Sequence, residues 1–323
     1  MNLPSFPPLE QDALVKIALR FGVSPHRISR LPQIGICNAI FALGEDLILR
    51  VPRAHEAYTA AIRREAVAVP LARGVGVKTP ALIAFDDSLK TLPVPFGIWE
   101  RVRGDTLGLL DLEPEETPQV WRAVGADLGR LHLGVLPRHE LTPLEPPPMP
   151  KTETLAAQLE RDGWIGLGEA RWLTRWAGQL ELRGGAVQRR FLHGDLQATN
   201  IMVSPARDPA AKEYLALLDW GACGWGDVAW DFVGVPLRAI PFLLEGYREV
   251  NTTSNAGLEA RILRRHIEIG LFLMGRGAQP GTSWAERPFG MILEVMRFLQ
   301  TAPEPWHGLQ SHLLEASNLE GTA

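Results

Sequence analysis

From residue 12 the apolar positions fall three and four apart. Leu14, Ile17 and Phe21 in DALVKIALRFGVSP predict a helix that stops at Gly22. The next stretch, RISRLPQIGICNAIFALGEDLILRVP over 27–52, changes period. Its short apolar runs, with turns near Gly35 and at Gly44-Glu45-Asp46, predict three strands. The alanine-rich run 55–74 predicts a helix that Pro70 bends or breaks, because proline lacks the N–H that an interior turn requires. Strand character returns over 79–104 around a turn at Asp86-Asp87-Ser88. The first hundred residues thus predict a small sheet carrying one main helix.

Beyond Gly104 the helical period dominates. Thr117-Pro118 predicts a helix start, with an N-cap hydroxyl followed by proline in the first turn. Val120, Val124, Leu128 and Leu131 then mark its core face. LTPLEPPPMP (141–150) reads as a surface connector. Amphipathic helices follow around 152–162 and 168–182, the second carrying Trp172, Leu173 and Trp176. Strands are expected at QRRFLHGD, NIMVS and YLALLD, and helices at 236–250, 256–275 and 286–300. The whole is an α+β fold: a small β-rich part over 1–103 and a larger, mainly helical part over 104–323, with no internal repeat.

Composition narrows the partners. The 323 residues are 46% hydrophobic and 22% charged, values of an ordinary globular chain. A net charge of -4 offers no electrostatic case for nucleic acid or an anionic membrane. Cys37 and Cys223 make no disulfide framework, and the eight histidines show no metal spacing. The N-terminus lacks a basic stretch and long apolar core, and the most apolar run, IEIGLFLM (267–274), is too short to span a bilayer. A cytoplasmic protein with a small-molecule partner is expected. No heptad pattern fixes an oligomeric state.

The chemistry concentrates at HGDLQATN (193–200) and at DWG (219–221), which follows the apolar YLALL. Asp195, in a tight loop, can accept a proton from an attacking hydroxyl or orient it. Asn200 supplies a neutral oxygen and Asp219 an anionic one, a hard-ligand set suited to Mg²⁺ bridging nucleotide phosphates. A hairpin of NIMVS and YLALLD would bring Asn200 and Asp219 together. Upstream, LILRVP places Arg50 on a strand and RREAVAV places Glu65 on the next helix.

HGDLQATNIMV followed by LLDWGACGWGDVAWDFVG resembles the signature of the aminoglycoside phosphotransferase family, small-molecule kinases with a two-lobed, protein-kinase-like fold. The resemblance covers nearly the whole chain and is strongest over 191–234. It implies ATP or GTP as phosphoryl donor, Asp195 as catalytic base, Asn200 and Asp219 as Mg²⁺ ligands, and His193 as the residue shaping the catalytic loop. It implies that Arg50 and Glu65 form the phosphate-binding pair, with arginine where many relatives have lysine. Gly226, Asp227 and Asp231 match the family's G-D-x-x-x-D element, and the two aspartates would support the catalytic loop. Gly35 would lie in a glycine-poor phosphate-covering loop. Glu100 and Val102, in FGIWERVRG, would offer backbone to the base, with Trp99 behind it.

The acceptor is less constrained. Aminoglycoside or macrolide inactivation, and hence antibiotic resistance, is the first expectation. Kinases of choline, homoserine or other metabolites and a non-catalytic nucleotide-binding protein are the alternatives. Glu160, Asp162, Glu169, Glu181 and Glu245 could form an acidic cleft for a polycation. Trp172, Trp176, Phe242, Phe272 and Met274 could instead line an apolar one. The ten tryptophans read mainly as packing; Trp220, directly after Asp219, stands apart by position.

Overall fold

The structure, a computed structural model, describes residues 3–32, 36–137, 150–253, 256–275 and 286–309. The turn expected near Gly35 and nearly all of the proline-rich connector lie outside the described residues. The chain divides into two compact units. The first holds Met1–Pro146, Arg190–Trp225 and Phe242–Asn251, and the second holds Pro147–Arg189, Gly226–Pro241 and Thr252–Ala323.

In the first unit the chain forms α1 (Gln11–Arg20), β1 (Ile28–Arg30), β2 (Asn38–Leu43), β3 (Leu47–Pro52), α2 (Glu56–Gly74), β4 (Leu82–Asp86) and β5 (Phe96–Glu100). The five strands make one antiparallel sheet in the order β1-β2-β3-β5-β4. Gly44 closes the β2–β3 turn at a φ of +67°, a conformation that costs a residue without Cβ little. Strand alternation then sorts the side chains. Phe41 pairs with Leu49 and Leu49 with Ile98, and all three join Leu14, Ile17 and Ala18 of α1 in one apolar cluster. Arg50, one residue on from Leu49, turns to the opposite face.

Of the bend or break expected at Pro70 there is no break: helix α2 runs through it from Glu56 to Gly74. Its buried residues lie on both sides of the proline, Ile62 and Glu65 before it and Ala72 after it, and their packing offsets the hydrogen bond that Pro70 forfeits.

Next come β6 (Asp105–Thr106), α3 (Pro118–Gly134), α4 (Thr152–Arg161), α5 (Leu167–Arg183), β7 (Arg189–Leu192), β8 (Ile201–Val203), β9 (Tyr214–Leu217), β10 (Gly224–Asp227), α6 (Ile240–Val250), α7 (Leu258–Met274) and α8 (Glu286–Thr301). Helix α3 begins at Pro118, and Val120, Val124, Leu128 and Leu131 are fully buried as expected. Thr117 makes no side-chain cap. The 3₁₀ turn Pro114–Glu116 leads into it at φ -129° and ψ 44°, away from the extended backbone from which an N-cap hydroxyl reaches the first amides. Helices α3 and α6 meet through glycines. A Cβ on Gly125 would strike the Leu243 carbonyl, and one on Gly246 the Arg122 carbonyl.

Strands β6, β8 and β9 form a second antiparallel sheet, with Ile201 opposite Leu217. In the second unit α7 is the centre. Ile262, Leu263, Ile267 and Leu271 are fully buried, and α4, α5 and α8 pack around the helix. Among the described residues no helix is long and apolar enough to cross a membrane.

Two stability predictions follow from this packing. Gly125→Ala should lose about 2 kcal/mol in urea denaturation, because the α3–α6 approach leaves no room for a methyl group. Gly178→Ala, at a position in α5 where an added Cβ meets nothing within 4 Å, should instead gain up to about 1 kcal/mol. A further prediction concerns pH. His266 is buried on α7 with Nδ1 2.9 Å from the Ile262 carbonyl, and burial pushes its imidazole below the ordinary 6.5. The unfolded chain therefore takes up a proton that the folded chain refuses, so this contribution to stability is lost as pH falls through 6.5. His266→Phe should flatten that part of the denaturation-midpoint profile; an unchanged acid slope would contradict the assignment.

Candidate active site

Two loops and one strand–helix pair of the first unit bring the chemistry together. At 193–195 the backbone turns through Gly194 at a φ of +82°, and a Cβ there would strike the Ala222 carbonyl. Glycine is therefore required twice over between His193 and Asp195. His193 has no exposed surface. Its Nε2 lies 3.0 Å from the Leu218 carbonyl and its Nδ1 3.3 Å from the Asp195 amide. Nε2–H thus donates and Nδ1 accepts, so one imidazole ties the Asp195 loop to the residue before Asp219. The Leu218 amide donates in turn to the Asn200 carbonyl at 2.8 Å, extending the β8–β9 pairing to both candidate metal ligands.

The Asp195 carboxylate is half-buried and held on both oxygens. Gln197 Nε2 donates to Oδ1 at 2.6 Å, and Asn200 Nδ2 lies 3.4 Å from Oδ2 and 2.8 Å from the Asp195 carbonyl. Burial raises the Asp195 carboxyl above the usual carboxylate range, against the lowering effect of the Gln197 hydrogen bond. Because the Asn200 nitrogen is directed at Asp195, its Oδ1 is the atom left for a cation.

Arg50 stands between two acids. Its NH1 donates to Glu65 Oε2 at 2.8 Å and its NH2 lies 3.8 Å from Asp219 Oδ1. The Arg50 guanidinium also lies over the Trp99 ring, 5.9 Å from its centroid. Glu65 is 2% exposed, and burial pushes its carboxyl up to about 8 despite the arginine beside it. Burial would raise Asp219 too, but the Arg50 charge and a hydrogen bond with Glu65 hold it below its ordinary value. Of the two acids Glu65 is therefore the weaker and Asp219 the one that ionises first, with 37% of its side chain exposed. An anionic oxygen and a neutral amide oxygen suit a hard divalent cation. Among the described residues no group of three or more His, Cys, Asp or Glu converges as a metal centre, so a cation here would draw further ligands from phosphate and water.

The remaining expected site residues divide. Gly35 lies outside the described residues; nearby Cys37 has its thiol raised by burial and then by the Asp219 charge. Glu100 ends β5, and its amide donates to the Ala81 carbonyl, so of its backbone only the carbonyl is available to a base; Val102 follows in the segment after the strand. Asp227 and Asp231 belong to the second unit. Asp227 caps the following 3₁₀ turn and pairs with Arg261 at 3.2 Å and Arg265 at 3.6 Å, while Asp231 is fully buried. Gln197 escaped the sequence reading. Its place two residues after Asp195 was the available signal.

The candidate acceptor-site residues are partly committed elsewhere. Glu245 pairs with Arg122, Glu181 with Arg264, and Asp162 accepts from Gln158. Trp176 and Met274 are buried, and Arg122 lies over Phe242.

A model of the phosphotransferase enzyme family matches residues 31–251. No curated protein matches the chain. Among solved structures, the GDP complex of aminoglycoside 2'-phosphotransferase-IIIa is similar with a TM-score of 0.60 at 13% identity, covering 88% of this chain and 96% of that one. A choline/ethanolamine kinase family protein from Mesorhizobium loti gives 0.57 at 17% identity, covering 94% and 98%. Macrolide 2'-phosphotransferase from Brachybacterium faecium gives 0.56 at 18% identity, covering 92% and 99%. These likenesses bear out the expected kinase-like α+β fold, an N-terminal antiparallel sheet followed by a mainly helical part. With the family's model matched over more than half of its length, the chain belongs to the phosphotransferase enzyme family.

Proposed function

We propose that this phosphotransferase moves the γ-phosphoryl group of ATP or GTP to a hydroxyl of a small molecule. The observation that carries the reading is the position of Arg50 between Glu65 and Asp219, at the end of the β8–β9 hairpin that also delivers Asn200 and to which His193 ties the Asp195 loop. In phosphoryl transfer the protein's work is mostly positioning and charge neutralisation, and this arrangement supplies both. Residues 1–103 form the nucleotide-binding part and 104–323 the catalytic and acceptor-binding part. Asp195 orients the hydroxyl and takes its proton, with Gln197 fixing the carboxylate. Asn200 and Asp219 hold Mg²⁺, which supplies charge to the phosphate oxygens when bound. Arg50 meets the phosphates, and the Glu100 carbonyl and Val102 lie where a base would sit. A nucleotide donor is supported by the GDP and ADP complexes of similar aminoglycoside phosphotransferases.

For the acceptor, an aminoglycoside or macrolide antibiotic in a cytoplasmic resistance role is the reading to test first. A metabolite kinase is the alternative, since a choline/ethanolamine kinase family protein resembles the chain about as well as the antibiotic kinases do. The local pairing of Glu181 and Glu245 argues against a cleft built from all five acids, and the burial of Trp176 and Met274 against one lined by all five apolar candidates.

Purified protein with Mg·ATP or Mg·GTP and a panel of aminoglycosides, macrolides and small alcohols should yield a phosphate ester by mass spectrometry. Asp195→Asn should lower turnover about 10²–10⁴-fold with the fold retained. Nucleotide binding without any product in either protein would favour a non-catalytic role. Asp219→Ala should abolish the Mg²⁺-dependent part of ATP binding in calorimetry, while Asp195→Asn keeps most of it. If both variants bind Mg·ATP like wild type, the metal assignment is wrong.

A further inference from the structure

Asp219 sits at a φ of +63°, one of two non-glycine residues with positive φ among the described residues. An L-residue in that left-handed conformation costs about 1–2 kcal/mol, so its neighbours must be held firmly for it to persist. Upstream, Leu218 is fixed through both its amide and its carbonyl, to Asn200 and His193. Downstream the anchor is Trp220. It is 1% exposed, which removes it as a stacking platform for a nucleobase. Its ring lies 4.5 Å from the His193 ring, and its indole N–H donates to Thr79 Oγ1 at 3.0 Å.

That hydrogen bond is not what every buried indole in this protein obtains. Trp99, Trp121 and Trp176 are also buried, and among the described residues their Nε1 atoms find no partner. Thr79 is itself immobilised. Its carbonyl accepts from Arg73 at 2.5 Å, and the preceding Lys78 donates its amide to the buried Asp127 at 2.7 Å and accepts from the Leu217 amide at 2.9 Å. Tyr214 closes this network, its hydroxyl 2.8 Å from Asp127 Oδ2. The segment leaving α2 is thereby tied to both sides of Asp219. Helix α2 also touches the same turn directly, since an added Cβ on Gly221 would lie 3.0 Å from Ala61 Cβ. The helix that carries Glu65 and the turn that carries Asp219 are thus braced against each other around Arg50.

We propose that Trp220, anchored through its indole N–H to Thr79, is a positioning residue that holds Asp219 in its left-handed conformation and keeps that carboxylate beside Arg50, where a metal–nucleotide would bind. The metal part of this inference rests on the kinase reading of the site; the conformational part does not.

The test uses Thr79→Val, which keeps the side-chain shape without the acceptor, Thr79→Ser, which restores a hydroxyl, and Trp220→Phe, which keeps a ring against His193 without the N–H. Two readouts are taken: calorimetric binding of ATP with Mg²⁺ or with EDTA, and amide hydrogen exchange over 217–223 in nucleotide-free protein. Thr79→Val and Trp220→Phe should each weaken Mg·ATP binding about tenfold and leave metal-free ATP binding within about twofold. Exchange over 217–223 should quicken in both, and Thr79→Ser should return both readouts to wild type. If Trp220→Phe does not fold, the two Thr79 variants decide alone. Unchanged exchange and Mg·ATP binding in Thr79→Val would overturn the proposal, as would equal weakening with and without Mg²⁺. A wild type with no Mg²⁺-dependent ATP binding would overturn the kinase reading instead, and faster exchange in Thr79→Val would still support the conformational part.

Discussion

One guanidinium shared by two carboxyls is the constraint on which the site depends. Arg50 carries a permanent charge, and it meets Glu65 at 2.8 Å and Asp219 at 3.8 Å. Removing Arg50 and Glu65 from water is costly, and a buried pair of this kind is a poor way to gain stability. Its value lies in placement. With Glu65 raised by burial and Asp219 lowered by the arginine, the cluster keeps one anionic oxygen turned toward solvent and one cation fixed beside it. A phosphate and its counter-cation would find such a pair already in place.

Every larger feature of the first unit serves that placement. Strand alternation sends Leu49 into the α1 core and Arg50 to the other face, and α2 runs unbroken past Pro70 with Glu65 on its buried side. The β8–β9 hairpin sets Asn200 and Asp219 at its open end, and His193 links that end to the Asp195 loop through two hydrogen bonds. Gly194 makes the tight turn possible, and the Trp220–Thr79 bond braces the far side. The contributions are local hydrogen bonds of ordinary strength. They matter because they fix the relative position of the candidate site's side chains.

Much of this was legible in the residues, and for physical reasons. Long periodic segments such as 118–134 and the alternating 47–52 announce themselves, since burial on one face repeats at a fixed interval. The candidate site residues stood out because His193, Asp195 and Asn200 lie within eight consecutive residues and Asp219 follows one hairpin later. Features set by tertiary contacts were not. Pro70 is carried by packing on both sides of it, and Thr117 loses its capping role to the turn that precedes it. Strands β6 and β10 are too short to show a period. The bond from Trp220 to Thr79 across 141 positions emerges only once the chain is folded. The acceptor stayed illegible because its candidate residues are scattered over several helices and some are spent on local partners.

The most direct test of the central claim is a crystal structure of the protein with Mg²⁺ and a non-hydrolysable ATP analogue. The account predicts the cation between Asn200 Oδ1 and the Asp219 carboxylate, with Arg50 on the phosphates and Glu65 still holding it. A nucleotide bound elsewhere, or a cation that touches neither Asn200 nor Asp219, would contradict it.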